Sequence, residues 1–401
     1  MADFGGGDLE AFRSEVRSWV EANFPASLKG KPNPMAGEGR GDPLTPDQDA
    51  WRRAVGEKGW GTPTWPAAYG GGGLNGAQAR VIQGEFARAG AYNPIGGMGV
   101  MMFGPTLLEY GTEAQKQEHI PPIVRGELQW CQGFSEPGAG SDLAALQTKA
   151  EDKGDHFLIN GQKVWTSGAQ YADWCFCLVR TDPAKKHEGI SFVLIDMNQP
   201  GVEVRPILLI NGLAPFCETF FTDARAEKKN LVGPLNGGWT IAKRLLQHER
   251  SGISGMGGGG MGGPSLVDLA KKYVGVDEQG RIADPDLRMR VIRNTMETKA
   301  FQQTAFRVMA ESKGNSGPSA ATSIMKNAGT WLAQERHELT LEIMGHQGLG
   351  WEGDDFDRYE LETVRAWLYG KAFTIFGGSQ EVQSNIVSKR ILGLPDLTQA
   401  K

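Results

Sequence analysis

Gln132-Gly133-Phe134-Ser135-Glu136-Pro137-Gly138-Ala139-Gly140-Ser141, followed by Asp142, is the stretch of this chain that says most about its fold. The next distinctive segment is Lys163-Val164-Trp165-Thr166-Ser167-Gly168. Glycines let a backbone approach a ligand closely, and the exposed N–H groups of such a turn form a concavity for anions. A tryptophan adds a large flat face, and hydroxyls add small donors. The two segments together predict a site for a flat, charged, aromatic cofactor.

The composition is that of a globular protein with room for two or three domains. The chain has 401 residues, of which 40% are hydrophobic and 22% charged. The net charge is -5 and no basic block occurs, which argues against binding to nucleic acid or to a membrane surface. Four cysteines do not make a disulfide framework, and we expect Cys175 and Cys177 to share a core-facing side of one strand. The first residues lack the features of a signal peptide and no apolar run reaches membrane-spanning length, so we expect a cytoplasmic protein.

Hydrophobic periodicity divides the chain into three parts and predicts an α+β fold. Residues 1–129 show helical periodicity, residues 130–235 show short strands, and residues 236–401 return to helical periodicity. Strand patterns at 174–179, 190–195, 202–207 and 219–221 suggest an antiparallel sheet or barrel. Asn160-Gly161 lies between two further strand-like runs, and this dipeptide predicts a hairpin turn there.

One carboxylate interrupts the apolar side of a predicted helix. The residues that share this side at 3.6 residues per turn are Ala242, Leu245, Leu246, Glu249 and Ile253. Glu249 is either a partly buried glutamate paired with an arginine, or a general base whose pKa is raised by desolvation. The spacing alone does not choose between these two interpretations.

These segments resemble the signature of the acyl-CoA dehydrogenase family of flavoenzymes, and the resemblance covers nearly the whole chain. The family's Ser/Thr-Glu-Pro-Gly-Ala-Gly-Ser-Asp segment and its later Trp-x-Thr/Ser segment are both present. The resemblance implies an N-terminal helical domain, a middle β domain and a C-terminal four-helix bundle. It also implies FAD as cofactor, an acyl-CoA substrate and an electron-transferring flavoprotein as acceptor.

The resemblance also favours a catalytic role for Glu249. Most members carry the base in a late loop like Tyr-Glu-Gly-Thr, and Gly377 occupies that position here. Long-chain and branched-chain members carry it on a helix in a segment like Glu-Arg, which Glu249-Arg250 matches. Arg250 then matches an arginine near the substrate pocket, and a surface ion pair is the alternative interpretation of this residue. Glu381 is the runner-up carboxylate, although it matches a position that contacts cofactor.

The resemblance assigns the cofactor contacts position by position. Phe134 and Ser135 match residues beside the flavin ring, and Gly140 and Ser141 match the pyrophosphate contact. Trp165 and Ser167 match the tryptophan on the ring and the hydroxyl near its N5 atom. The late-loop residues that approach the cofactor are Gly378, Ser379 and Glu381. No metal site is expected.

Two segments depart from the family pattern on the adenine side of FAD. The Arg-x-x-Phe-Gly segment has no clean counterpart around residues 271–281, and Glu342 stands where the family has a glutamine. The expected homodimer or homotetramer is therefore in question, and a heteromer with a related chain, including one for bulky acyl-CoAs such as sterol side chains, is an alternative. Three further candidates are an acyl-CoA oxidase that uses O₂, a non-catalytic partner subunit and a DNA-binding member of the family. The negative net charge disfavours the DNA-binding candidate.

Overall fold

The computed structural model describes residues 6–31, 33–34, 43–254, 264–311 and 321–395. It does not describe the side chains of residues 6–8, 248–254 and 309–311. The chain divides into two compact units. The first unit is formed by residues 1–207 and 214–245, and the second by residues 208–213 and 246–401. Helices precede and follow the strands along the chain, as the sequence predicts.

The first unit begins with helices, three of which start at a local capping signal. They are α1 (Gly6–Asn23), α2 (Pro46–Glu57), α3 (Gly76–Ala89), α4 (Gly104–Tyr110) and α5 (Glu113–Val124). Thr45, Asn75 and Thr112 each cap a helix, and a glutamine three residues later returns a hydrogen bond to the cap. A π-helical turn, Gly99–Phe103, leads into α4.

A buried carboxylate connects α1 to α3. Glu85 of α3 is only 2% exposed and accepts hydrogen bonds from Arg17 at 3.0 Å, Arg88 at 2.7 Å and Arg13 at 3.4 Å. The hydrogen bond from Arg17 and the other guanidinium groups lower the pKa of Glu85 to about 2, against the opposing effect of burial. Glu85 therefore stays ionised and bridges the two helices.

The middle of the chain forms one eight-stranded sheet. Its strands are β1 (Trp130–Gly133), β2 (Lys149–Asp152), β3 (His156–Ser167), β4 (Trp174–Arg180), β5 (Ile190–Asp196), β6 (Val202–Ile207), β7 (Phe216–Glu227) and β8 (Leu231–Val232). The order is β6-β7-β3-β2-β4-β5-β8, and β1 pairs with β4 beside this path. Most pairs are antiparallel; β1–β4 and the single β2–β4 contact are parallel.

The prediction of a hairpin at Asn160-Gly161 is wrong, because β3 runs through this dipeptide. Gly161 has φ 154° and marks a register shift against β7, where a Cβ would lie 2.7 Å from the Cα of Thr148. Asn160 donates to the carboxylate of Asp223 on β7 at 2.9 Å and accepts from its amide at 2.9 Å. Ile159 pairs with Ala224 and Gly161 pairs with Phe221, so the extra residue of this β-bulge lies on β7, where Asp223 has φ 55°. The turn lies instead at 153–155, between β2 and β3.

Both faces of β4 are buried. Cys175 and Cys177 lie on one face within the apolar core of the sheet, which confirms the prediction that they pack there. Phe176 lies on the other face, where its ring stacks on Phe103 of the π-helical turn with centroids 5.6 Å apart. Phe103 in turn stacks on Trp130 at 3.9 Å. These rings pack the N-terminal helices against the sheet.

The second unit is built around one central helix. Its helices are α6 (Gly238–Ser254), which also contributes to the first unit, α7 (Leu266–Tyr273), α8 (Pro285–Glu311), α9 (Ala321–Met344), α10 (Arg358–Gly370) and α11 (Gln380–Ile386). Helix α9 packs against α7, α8, α10 and α11. Its buried positions include small residues such as Gly329 and Ala333, which let neighbouring helices approach from several sides. No described helix combines the length and apolar character that a membrane crossing requires.

Glu85→Gln should lower the free energy of unfolding by about 2–4 kcal/mol at neutral pH, because a buried ion pair loses one partner. The folded-state pKa of Glu85, about 2, lies below its ordinary value of 4.5, so its stabilisation is present above pH 4.5 and is lost as the pH falls toward 2. Urea titrations of wild type and variant should therefore converge at acidic pH. Glu203→Gln breaks an exposed pair with Arg205 and should cost less than about 1 kcal/mol. A wild-type advantage that grows below pH 4 would contradict this account.

Candidate active site

The glycine-rich turn closes on itself and leaves its outer surface open. The amide of Glu136 donates to the carbonyl of Ala139 at 3.1 Å, and the amide of Ala139 returns a bond to Glu136 at 3.0 Å. A Cβ added at Gly138 or Gly140 would meet no atom within 4 Å. The amides of Gly140 and Ser141 donate to no backbone acceptor among the described residues. The turn therefore offers free donors beside open space, which suits an anionic group.

Trp165 is displayed by a β-bulge in β3. Lys163 pairs with Thr219 and Thr166 pairs with Cys217, so Val164 and Trp165 together oppose Glu218. Trp165 has φ 60°, an uncommon value for a residue with a side chain, and it is 55% exposed. Its ring meets the edge of Phe216, with centroids 6.0 Å apart. A large apolar face is thus left available.

The bulge also turns hydroxyls inward. Thr166 is fully buried, and its Oγ1 atom has no hydrogen-bond partner among the described residues. Ser167, the predicted contact near the flavin N5 atom, is also buried. Phe134, at the start of the turn, is buried with its ring edge against Phe176, and Ser135 accepts a backbone hydrogen bond from Val164. The structure therefore brings together the predicted residues of the turn and those around Trp165.

An ion pair that the sequence did not single out joins the two segments. The Lys163 ammonium is fully buried and lies 2.8 Å from the Glu136 carboxylate and 3.1 Å from the Phe134 carbonyl. Burial raises the pKa of Glu136, but the charge and hydrogen bond of Lys163 and the amides at Gln147 and Thr148 outweigh it and lower that pKa. The alternation of side chains along β3 is the sequence signal that could have identified Lys163 as buried, because Lys163 falls on the same buried face as Phe157 and Ile159.

The late loop is held by two buried side chains of the second unit. Gly377 and Gly378 have φ 67° and 89°, which only glycine adopts readily. Gln383 donates to the Gly377 carbonyl at 2.8 Å, and Lys326 of α9 donates to the Gly378 carbonyl at 2.8 Å. Neither Lys326 nor Gln383 was predicted from sequence.

Ser379 and Glu381 lie where the late loop enters α11. Ser379 caps α11, and Glu381 lies in its first turn with an exposed side chain. The Glu381 amide and the Ser379 hydroxyl lower the pKa of the Glu381 carboxyl. A carboxylate with a lowered pKa is a weak base, so Glu381 is poorly suited to proton abstraction.

The helix that carries Glu249 is present. Ala242 and Leu245 of α6 are fully buried, in agreement with the predicted apolar side. The side chains of Glu249, Arg250 and Ile253 lie outside the described part of the structure. Their roles stay predictions.

In the two segments that depart from the family pattern, side chains form hydrogen bonds and ion pairs within the second unit. Glu342 accepts a hydrogen bond from Arg290 at 2.6 Å, so its charge is neutralised locally. Tyr273 donates to Glu360 at 2.7 Å, and Lys272 lies 3.4 Å from Asp357. Among the described residues, no group of three or more histidine, cysteine, aspartate or glutamate side chains could hold a metal ion.

Comparison with known proteins identifies the family. The acyl-CoA dehydrogenase N-terminal, middle and C-terminal domain models match residues 7–127, 131–224 and 236–392. The chain belongs to the acyl-CoA dehydrogenase family. The predicted family, enzyme class and fold class are therefore confirmed, and this is a family of flavoproteins. The exact boundaries at 129 and 235 stay a prediction.

Several relatives match nearly the whole chain. Acyl-CoA dehydrogenase IpdE1 from Mycobacterium tuberculosis is 37% identical over 399 residues, which cover 97% of this chain and 98% of that protein. The solved Tcur3481-Tcur3483 steroid ACAD is 30% identical with a TM-score of 0.77, covering 97% of this chain and 98% of its own. The ChsE4-ChsE5 complex from Mycobacterium tuberculosis is 28% identical with a TM-score of 0.73, with coverage of 97% and 98%.

The residues present fit a flavin. The turn supplies free amide donors for a phosphate, and Trp165 supplies an exposed flat face. The Thr166 hydroxyl, which lacks a partner among the described residues, adds a buried polar atom next to Trp165 in sequence. This donor set matches a ligand with both an aromatic ring and a phosphate.

Gly140→Ala should fold normally but bind flavin about tenfold or more weakly. The added methyl group meets no protein atom, so it occupies the open space over the turn instead. Fluorescence titration of the apoprotein with FAD measures the affinity, and thermal unfolding of the apoprotein checks the fold. Gly84→Ala, in α3, is the matched control because its Cβ also meets open space. Unchanged FAD affinity in Gly140→Ala would show that the turn is not part of the cofactor site.

Proposed function

We propose that this protein catalyses the FAD-dependent α,β-dehydrogenation of an acyl-CoA thioester. The observation that carries the proposal is the open glycine turn joined to the exposed face of Trp165. Bound FAD supplies the acceptor for the hydride that leaves the β-carbon. Membership of the acyl-CoA dehydrogenase family supports acyl-CoA as substrate, and an electron-transferring flavoprotein is the proposed electron acceptor.

Each segment of the first unit has a proposed role in holding FAD. Trp165 would pack on the flavin ring, the Ser135 hydroxyl would donate to its pyrimidine edge, and the Ser167 hydroxyl would lie near its N5 atom. Gly140 and Ser141 offer their amides to the pyrophosphate. Phe134 fixes the start of the turn, because its ring is locked edge-on against Phe176 at 6.0 Å.

Glu249 is the proposed base that removes the α-proton. Gly377 provides no carboxylate at the family's usual position, and the lowered pKa of Glu381 argues against that residue. Glu249 follows the apolar side of α6, where desolvation raises the pKa of a carboxyl and strengthens it as a base. Arg250 is the proposed neighbour on the substrate side. In the late loop, Gly378, Ser379 and Glu381 are proposed to approach the cofactor.

A bulky acyl group is the proposed substrate class. The two glycines of the late loop remove side-chain volume at Gly377 and Gly378. The 30% identical Tcur3481-Tcur3483 enzyme is named a steroid ACAD. A sterol side chain or another long, branched or ring-bearing acyl group therefore fits the proposal better than a short linear one.

A second candidate is a subunit of a heteromeric acyl-CoA dehydrogenase. The observation that favours it concerns the segments that contact adenine in the family. Here Glu342 is hydrogen-bonded to Arg290 and Tyr273 is hydrogen-bonded to Glu360, so these side chains already have partners within the chain. Two similar solved enzymes also carry paired names, and one of them is called a complex. A related chain would then complete the adenine side of the FAD site.

A cytoplasmic setting is part of the proposal. All four cysteines are buried free thiols. Such thiols suit a reducing compartment, which is also where an acyl-CoA substrate and a soluble electron carrier would be available.

Glu249→Gln should bind FAD and substrate but bleach the flavin about 10² to 10⁴ times more slowly, since the amide cannot accept the α-proton. Anaerobic stopped-flow mixing with a panel of bulky and linear acyl-CoA esters measures this rate and identifies the preferred substrate. Returning a carboxylate in Glu249→Gln/Gly377→Glu should restore only a small part of the rate, because Gly377 has φ 67° and a residue with a side chain is strained there. Bleaching of Glu249→Gln at the wild-type rate would show that Glu249 is structural.

The purified protein should be at least a dimer, because the proposed adenine contacts need a second chain. Light scattering with flavin absorbance gives the mass and the FAD content of the same sample. A homodimer or homotetramer with one FAD per chain supports the self-sufficient enzyme. FAD retention only after addition of a related chain supports the heteromer. A monomer fully loaded with FAD would contradict both forms of the proposal.

A further inference from the structure

The Lys163–Glu136 pair is placed between the two halves of the proposed flavin site. Glu136 belongs to the glycine turn, and Lys163 lies two residues before Trp165. The pair is densely hydrogen-bonded within a small volume. Lys163 donates to Glu136 and to the Phe134 carbonyl, and Glu136 accepts from the amides of Gln147 at 2.6 Å and Thr148 at 2.8 Å.

A buried lysine resists displacement more than an apolar residue at the same position. Lys163 has no exposed surface, so moving its ammonium from Glu136 leaves two uncompensated charges inside the protein. The adjacent backbone hydrogen bond from Val164 to Ser135, at 2.9 Å, holds the strand against the same turn. The register of β3 is therefore fixed at residue 163.

The register is fixed again immediately after Trp165. Thr166 is fully buried and paired with Cys217 of β7. Only Glu218 lies opposite the two residues between these points, so the extra residue must be accommodated at Val164 and Trp165. Trp165 takes the left-handed backbone conformation that this requires.

Side-chain alternation shows what the bulge achieves. In a regular strand, Trp165 would point to the same buried face as Lys163, and Thr166 would point outward. The bulge reverses both, because Trp165 is exposed and Thr166 is buried. A one-residue relaxation of the register at Lys163 would turn the Trp165 ring away from the turn.

We propose that Lys163 and Glu136 are positioning residues for the flavin: their ion pair fixes the register of β3 so that Trp165 faces outward, beside the glycine turn. The inference rests on the proposed FAD site. It adds that Lys163 acts through Trp165, so the effects of the two residues on FAD affinity are coupled.

A double-mutant cycle on the full chain tests this coupling. FAD affinity is measured by titrating the apoproteins of wild type, Lys163→Met, Trp165→Ala and Lys163→Met/Trp165→Ala. Each single change should raise the Kd for FAD about tenfold or more. The double variant should lie within about threefold of Trp165→Ala, because a displaced ring cannot be lost twice. A Kd of the double variant that rises by the product of the two single effects would overturn the proposal.

Two further variants separate positioning from general stability. Glu85→Gln breaks a buried ion pair in the N-terminal helices and should destabilise the apoprotein without changing the Kd for FAD by more than about twofold. Glu136→Gln keeps the shape of the turn and replaces Lys163→Met in the cycle if that variant does not fold. An equal loss of FAD affinity in Glu85→Gln would show that the Lys163 effect is only one of stability.

The wild-type and Trp165→Ala measurements distinguish failure of the proposed FAD site from failure of the positioning role alone. Wild type that binds no FAD, either alone or after addition of a related chain, overturns the proposed cofactor and the positioning role together. Wild type that binds FAD, with weakened binding in Trp165→Ala but wild-type binding in Lys163→Met and Glu136→Gln, overturns the positioning role alone.

Discussion

A lysine with no access to water sets the geometry of the middle of this chain. An ammonium group buried in protein must be neutralised and fully hydrogen-bonded, and Lys163 achieves this with Glu136 and the Phe134 carbonyl. Those partners belong to the glycine turn, so the requirement of one charge brings two distant segments together. The packing of Phe134 against Phe176 then connects the glycine turn to the aromatic residues that pack the N-terminal helices against the sheet.

The order of structure along the chain could be predicted because it depends on local patterns. Thr45-Pro46 and Thr112-Glu113 encode helix starts locally, because each threonine side chain accepts a hydrogen bond from the amide of the glutamine three residues later. The strand patterns of β4 and β5 likewise predicted the strands and the buried cysteines. The hairpin prediction at Asn160-Gly161 failed for a physical reason. Turn propensity concerns only the local backbone, whereas here Asp223 on another strand supplies the hydrogen-bond partner of Asn160, and β3 stays extended.

The candidate site was predictable only in part, since its supporting contacts are tertiary. Motif spacing identified Trp165 and the glycine turn, because those residue types carry the binding chemistry themselves. The supports Lys163 and Lys326 donate to carbonyl groups of distant segments, and no spacing rule connects Lys163 to Phe134 or Lys326 to Gly378. For Glu249 and Arg250 the sequence remains the sole source of the assignment, since their side chains lie outside the described residues.

The closed glycine turn has a consequence for how the enzyme acquires its cofactor. Its described hydrogen bonds and its ion pair join protein groups to one another, so no ligand atom is required to close the turn. A receptor that is already ordered loses little conformational entropy on binding. A flavin bound as proposed would therefore meet a turn whose shape the chain itself has set, and most of the ordering cost of binding would fall on the ligand.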